Sequence, residues 1–302
     1  MTIQQLVYFL AVARTRHFTR AAERAHVAQP SLSKQIRALE DELGAELFSR
    51  ARGNITLTEA GEALLPVAER ILADVETARL EVAERVGLRK GRVRVGATPS
   101  LCGSVFADVL KRFHGEHPGI RLLVTEGGSR DLVGELVRGE LDLALVITPL
   151  EREAALTTRP ILREELVLAT RADDRPASAR LRLGALGDHA LVTFREGYDL
   201  REKTINACRE AGFQPRFAVE GGEMDAVLRF VEVGLGVAIV PSMVLATRPQ
   251  LRGTPLEPAM TRTIALAHRT DVAPTSSARA FASVLLEHLR DAKLPPGVRR
   301  LR

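Results

Sequence analysis

Cysteine is scarce in this 302-residue chain: Cys102 and Cys208 are the only two, and they lie far apart. That excludes a disulfide framework, which needs an even, closely spaced set. No cysteine/histidine cluster has zinc spacing, and neither a Walker loop nor a GxSxG elbow is present. His17, His26, His114, His117, His189, His268 and His288 show no catalytic spacing, and no nucleophile or acid–base set accompanies them. No apolar run approaches the ~18 residues of a membrane span. No signal peptide is visible, because Met1-Thr2-Ile3 leads straight into an amphipathic pattern. These absences predict a soluble, cytoplasmic, non-enzymatic protein with no cofactor, metal or membrane partner.

Positive charge is present but not concentrated. The net charge is +5, yet residues 1–58 carry eight Lys/Arg against five Asp/Glu. A pI near 9.7 permits nucleic-acid binding without proving it. A bulk polybasic patch is excluded, so affinity for DNA requires specific contacts from paired heads.

The richest stretch is 19–61. Thr19 reads as the N-cap of a helix whose Ala21 and Ala22 allow close approach by a second helix. His26-Val27-Ala28 is a sharp connection, and Gln29-Pro30-Ser31 opens the next helix, proline being favoured at a first helical position. In that helix Leu32, Ile36, Leu39 and Leu43 recur at helical spacing and point inward. Pro30, Ser33, Lys34, Arg37 and Asp41 occupy the other side, with Gln29, Ser31 and Ser33 clustered at the N-terminal end. Such a helix fits the major groove of double-stranded DNA, and its free N–H groups attract phosphate. An ordinary two-helix hairpin with a solvated face is the competing reading. Residues 47–50 and 54–57 then form a hairpin with Arg50, Arg52, Gly53 and Asn54 near its tip, a basic wing.

From Thr58, an N-cap followed by Glu59 and Glu62, a long helix runs to about residue 88. Leu64, Ala68, Ile71, Val75, Ala78 and Val82 make a heptad seam, which predicts pairing with a second copy. Pro66 predicts a kink. After Gly87 the pattern alternates strands (93–95, 120–125, 141–147) with helices (105–114, 132–138), the signature of a parallel, doubly wound sheet. A second set follows: strands 166–170, 190–194, 216–219 and 237–240, and helices 200–211 and 224–233. Residues 264–267 lead back to the first lobe, a helix at 277–291 packs there, and 294–302 reads as a frayed tail. Two lobes joined by two crossings leave a cleft.

The cleft candidates lie where strands end. Thr98 and Ser100 offer hydroxyls suited to an anion, Gly127-Gly128-Ser129 is a second such turn, and Thr148 ends a strand. Phe194, Arg195 and Gly221 end strands of the other lobe. Each also reads as a plain cap or turn, and Arg195 as either an anion partner or a surface charge.

The runs FTRAAERAHVAQPSLSKQIRALEDELGAELFSR and ITLTEAGEALLP resemble the N-terminus of LysR-type transcriptional regulators, closely over residues 1 to about 90 and in architecture beyond. The resemblance implies base-edge contacts from Gln29, Pro30, Ser33 and Lys34, and phosphate contacts from Ser31, Arg37 and Arg50. The family's wing arginine aligns with Gly53, and Arg52 stands one place earlier. It also implies a periplasmic-binding-protein-like effector domain with its site at Ser100, Ser129, Thr148 and Phe194, and a homodimer or dimer-of-dimers tetramer acting at promoters with RNA polymerase. The expected fold is therefore α/β: a winged helix-turn-helix (1–58), a linker helix (59–89) and an effector domain (90–302) with lobe I at 90–161 and 267–302 and lobe II at 162–266. Peroxide-sensing members carry a reactive cysteine nine residues before a partner. Here Cys208 matches the partner and Asp199 stands at the reactive position, so that disulfide switch is unavailable. Cys208 reads as packed inward, and Cys102 as a small apolar filler beside the pocket. A solute-binding protein or an α/β enzyme with an accessory helical head is the alternative. The effector, the target genes and the sign of regulation are not written in the sequence.

Overall fold

Thr2 starts the first helix with a reciprocal cap: its hydroxyl accepts the Gln5 N–H, and the Gln5 side chain accepts the Thr2 N–H. The computed structural model describes residues 1–49, 54–85, 91–150, 153–174 and 179–301. They form two units, one built mainly from residues 1–87 and the other from the remainder of the chain.

In the first unit, α1 (Ile3–Thr15), α2 (Phe18–Arg24) and α3 (Gln29–Leu43) pack around Leu6, Phe9, Val12, Ala21, Leu32, Ile36 and Leu39. Helix α2 begins two residues earlier than a cap at Thr19 implies. Its cap is His17, whose extended backbone lets the ring accept the Arg20 N–H. The helix ends in a Schellman turn: Val27 N–H reaches the Ala22 carbonyl and His26 N–H that of Glu23, with His26 at φ 54°. That left-handed residue is what turns the chain into α3. Leu43 departs from the expected inward face and is exposed, because α3 is closing at Gly44 (φ 69°) beyond its last core turn. The hairpin β1 (Phe48–Ser49) and β2 (Thr56–Leu57) pairs antiparallel, and Phe48 packs its ring on Phe9 and Phe18. The Glu40 carboxylate accepts the Leu47 and Phe48 N–H groups, tying α3 to the hairpin.

Helix α4 (Glu59–Arg85) continues unbroken through Pro66. Thr58 caps it, accepting from Gly61 N–H and donating to the Glu46 carbonyl. Gly61 is required there, since a Cβ would collide with the Leu47 carbonyl. The seam divides: Leu64, Ala68 and Ile71 pack on the head, whereas Ala78 and Val82 are exposed, Val82 by 63%. An apolar row left open at its C-terminal half suits a second helix.

The second unit opens with β3 (Arg92–Ala97), α5 (Pro99–Cys102), α6 (Val105–Glu116), β4 (Arg121–Glu126), α7 (Ser129–Val137) and β5 (Leu143–Thr148). Strands β4, β3 and β5 are parallel, the doubly wound core of lobe I. Then come β6 (Leu156–Arg171), β7 (Leu181–Arg182), β8 (Ala190–Thr193), α8 (Asp199–Glu210), β9 (Arg216–Glu220), α9 (Met224–Glu232), β10 (Ala238–Pro241), β11 (Leu251–Arg269), α10 (Ser276–Asp291) and β12 (Val298–Arg300). Strands β8 and β9 are parallel, and Leu191 bridges to Val237. The two crossings are long strands, β6 and β11, antiparallel to each other from one lobe to the other. At one end β6 pairs with β10, at the other β11 pairs with β5, and both pairings are antiparallel, so the parallel sheets are joined by an antiparallel ribbon. Helix α10 packs its Phe281 on Phe106 and Phe113 of α6. The tail expected to fray does not do so over its described residues, 294–301: β12 pairs with Glu164, Arg163 and Leu162 of β6. Strand β6 offers an unpaired edge there, which a short polar tail can satisfy without burying side chains.

Candidate DNA-reading helix and effector cleft

The outward face of α3 is built by its own start. Ala28 provides no side-chain cap, so the first N–H groups stay unclaimed by a cap oxygen. Gln29, Pro30, Ser31, Lys34 and Arg37 are exposed and Ser33 is half-buried. The Gln29 amide donates to the Ser33 hydroxyl at 2.8 Å. Phe18, Gln29, Pro30, Ser33, Lys34 and Arg37 line one shallow concavity. Among the described residues neither Lys34 nor Arg37 sits in an ion pair, so both cations are available to an external anion. Arg50, Arg52 and Gly53 lie outside the described residues.

In the second unit lobe I contributes three buried hydroxyls: Thr98, Ser100 and Ser129. Thr98 and Ser100 are 3.3 Å apart, and the Ser100 Oγ accepts from Arg262 Nη2 at 2.9 Å. Arg262, on the crossing strand β11, pairs with Glu164 on β6 at 2.7 Å, both fully buried in practice at 4% and 0% side-chain exposure. The other Glu164 oxygen accepts the Met243 N–H of lobe II. Ser129 Oγ accepts the Ile147 N–H at 2.9 Å, which leaves its proton for the Asp199 carboxylate of lobe II. A small pocket of about 30 Å³ open space lies between the lobes, lined by Thr98, Gly128, Ile147, Tyr198, Asp199, Leu200, Lys203 and Arg262.

The electrostatics follow from confinement. Burial raises the Tyr198 hydroxyl well above its usual range. It also raises Asp199, against the Ser129 hydrogen bond, and lowers Lys203 with help from the nearby Arg262 charge, although both side chains keep a solvent-facing edge. Cys102 is pushed up to about 12, first by burial and then by Glu126, so it is a thiol rather than a nucleophile. Burial raises Cys208 as well.

Thr98 and Gly128 line this pocket, whereas Ser100 and Ser129 lie off its wall and reach it only through their bonds to Arg262 and Asp199. Thr148 precedes a cis peptide to Pro149 and does not line the pocket. Phe194 is buried behind it, stacked on Tyr198 at 4.8 Å. Gly221 sits at φ 102° in lobe II, outside the lining. Arg195 is a surface charge: it is paired with Glu223 at 2.6 Å and absent from the pocket wall. Arg262, Lys203, Asp199 and Tyr198 escaped the sequence reading. No local signal marked the pair: Glu164 stands between Arg163 and Glu165 on β6, and Arg262 is one of several charges on β11, so only the fold shows that these two are buried together.

The profile described as a bacterial regulatory helix-turn-helix protein of the lysR family matches residues 3–62, and the LysR substrate binding domain matches 87–290. The chain belongs to the LysR family. This LysR-type regulator is 30% identical to the uncharacterized HTH-type transcriptional regulator YcgK of Bacillus subtilis over 96% of this chain and 95% of that one. It is 28% identical to the DNA-binding transcriptional dual regulator OxyR of Escherichia coli over 96% and 95%. Among solved structures, a full-length cysteine-to-aspartate variant of OxyR from Pseudomonas aeruginosa superposes with TM-score 0.74 at 29% identity, covering 100% of this chain and 99% of that one. Full-length CbnR complexed with its target DNA gives TM-score 0.67 at 26% identity, covering 96% and 99%. The protein is accordingly a DNA-binding transcriptional regulator carrying an effector-binding domain. LysR regulators bind DNA and small-molecule effectors and form oligomers. No helix among the described residues is long and apolar enough to cross a membrane.

Proposed function

We propose that this regulator reads a roughly two-fold symmetric DNA site with paired α3 helices and is switched by a small anionic effector seated between the lobes. On DNA, Gln29, Pro30, Ser33 and Lys34 meet base edges, Ser31, Arg37 and Arg50 meet phosphates, and Arg52 takes the wing's minor-groove contact. The open half of the α4 seam, Ala78 and Val82, pairs two copies, and effector domains pair further into a tetramer. The protein works in the cytoplasm at promoters, in reach of RNA polymerase, and releases its effector unchanged.

One observation carries the effector assignment: the buried Thr98–Ser100 hydroxyl pair bonded to the Arg262 guanidinium on the cleft floor. Glu164 already balances the Arg262 charge, so what the floor offers a carboxylate or similar anion is hydroxyl and N–H hydrogen bonding, with Lys203 as the further cation on the wall. Arg195, held by Glu223, takes no part. An effector favouring one lobe arrangement shifts the population of head arrangements by its difference in affinity.

The test has two arms. Footprinting on source-genome fragments at several salt concentrations is expected to show paired half-sites, and protection that disappears at modest salt with no sequence preference removes the DNA reading. A thermal-shift screen of carboxylates against wild type and Ser100→Ala is expected to yield a stabilising ligand that the variant loses. At 100 times its Kd such a ligand adds about 2.7 kcal/mol. Equal stabilisation of both proteins removes Ser100 from the site.

A further inference from the structure

We propose that the C-terminal strand β12 is a strap across the hinge, restraining the movement of the two lobes. The lobes are connected through β6 and β11, so any change in their angle must twist these strands where they cross. The crossing is marked by the Glu164–Arg262 pair and by register shifts on either side of residues 260–264. Strand β12 pairs with β6 at Leu162, Arg163 and Glu164, continuing the edge along which β10 pairs from Leu166 to Ala169. Its ends are fastened too: Glu165 N–H donates to the Gly297 carbonyl at 2.8 Å, and Leu301 N–H to the Ile161 carbonyl at 2.9 Å. At Leu162 and Arg163, where β11 already carries β5 on its far side, β12 adds a fourth strand, and at Glu164 it makes the two-stranded crossing three-stranded.

The strap is anchored in both lobes. Toward lobe I, the Arg300 guanidinium donates to the Leu289 and Ala292 carbonyls at the end of α10. Toward lobe II, Gly297, at φ 78°, lies so close to Ser242 that an added Cβ would stand 2.8 Å from its hydroxyl oxygen. The attachment is also built to be weak. Arg299 faces Arg163 directly across the pair, and like charges opposite one another oppose strand pairing. The Arg163 Nε is buried and finds no partner among the described residues. Val298 is half-buried, and Arg299 and Arg300 are exposed, so little apolar burial holds the strand down. A short strand held mainly by backbone bonds opens locally at far less than the cost of unfolding the lobe.

Hydrogen exchange of the full-length protein, read by mass spectrometry, tests this with two single variants. Gly297→Ala strains the left-handed turn and pushes on Ser242; Arg300→Ala releases the α10 end. The expected result is that at least one variant speeds exchange of peptides spanning 161–166 by tenfold or more, while β3 and β5 exchange as in the wild type. Unchanged exchange at 161–166 in both variants overturns the strap. So does a parallel rise across β3 and β5, because β12 would then be an ordinary part of the lobe core. Neither residue touches the effector pocket, so this outcome is independent of the effector assignment.

Discussion

Removing Arg262 while leaving Glu164 in place exposes how the hinge is held. In Arg262→Met the Glu164 Oε2 loses both its guanidinium bonds, at 2.7–2.8 Å, and keeps no replacement; only Oε1 retains the Met243 N–H. Glu164 is 0% exposed, so water cannot take over. An uncompensated buried charge of this kind costs about 3–5 kcal/mol. For a unit of some 200 residues, where 1 kcal/mol moves Tm by about 2–4 °C, the effector unit should melt roughly 6–20 °C lower. Replacing both partners, Glu164→Met with Arg262→Met, removes both charges. What remains is mainly the stranded Met243 N–H, about 1–3 kcal/mol. The double variant is therefore expected to be more stable than Arg262→Met alone, a strongly non-additive cycle. Differential scanning calorimetry of the full-length protein, the Arg262→Met and Glu164→Met single variants and the double variant reads this directly. A single-variant loss below about 1 kcal/mol, or losses that simply add, would refute the view that these two charges are held as a buried pair.

Three further outcomes follow from the same structure. Arg37→Ala should weaken binding on all DNA sequences alike and reduce the salt slope by about one, seen in fluorescence-anisotropy titrations over a salt series; an unchanged slope places Arg37 off the phosphates. Cys102, with its thiol pushed up to about 12, should react with iodoacetamide at pH 8 on the order of a thousandfold more slowly than a free thiol, measured by mass spectrometry. Asp199 has a raised folded pKa against a reference of 3.8, so the fold loses stability as pH climbs through the window above that value. Asp199→Asn should therefore gain stability relative to wild type near pH 7, with the difference closing toward pH 4; a pH-independent difference in urea-unfolding series would contradict the assignment.

Local chemistry settled much of this protein in advance. Periodicity at Leu32, Ile36 and Leu39, proline at the start of α3 and the cap at Thr58 are each decided within a few residues. The helix-turn-helix, the linker helix and most strands of both lobes were therefore legible in the sequence. The alternation of strands and helices also sufficed to place Thr98, Ser100 and Ser129 at strand ends of lobe I, because strand ends in such sheets face a common edge. What the sequence left open depended on partners distant along the chain. Arg195 read as either an anion's partner or a surface charge, and its ion pair with Glu223, 28 residues on, could be seen only in the fold. Arg262 was invisible because its value comes from Glu164, 98 residues away on the antiparallel strand. The tail looked frayed because its composition is polar and basic. Only the unpaired edge of β6, created by the crossing of two strands, gave it hydrogen bonds to make. Short-range preferences thus determined the elements, and the tertiary fold decided which charges are buried together and which edges are closed.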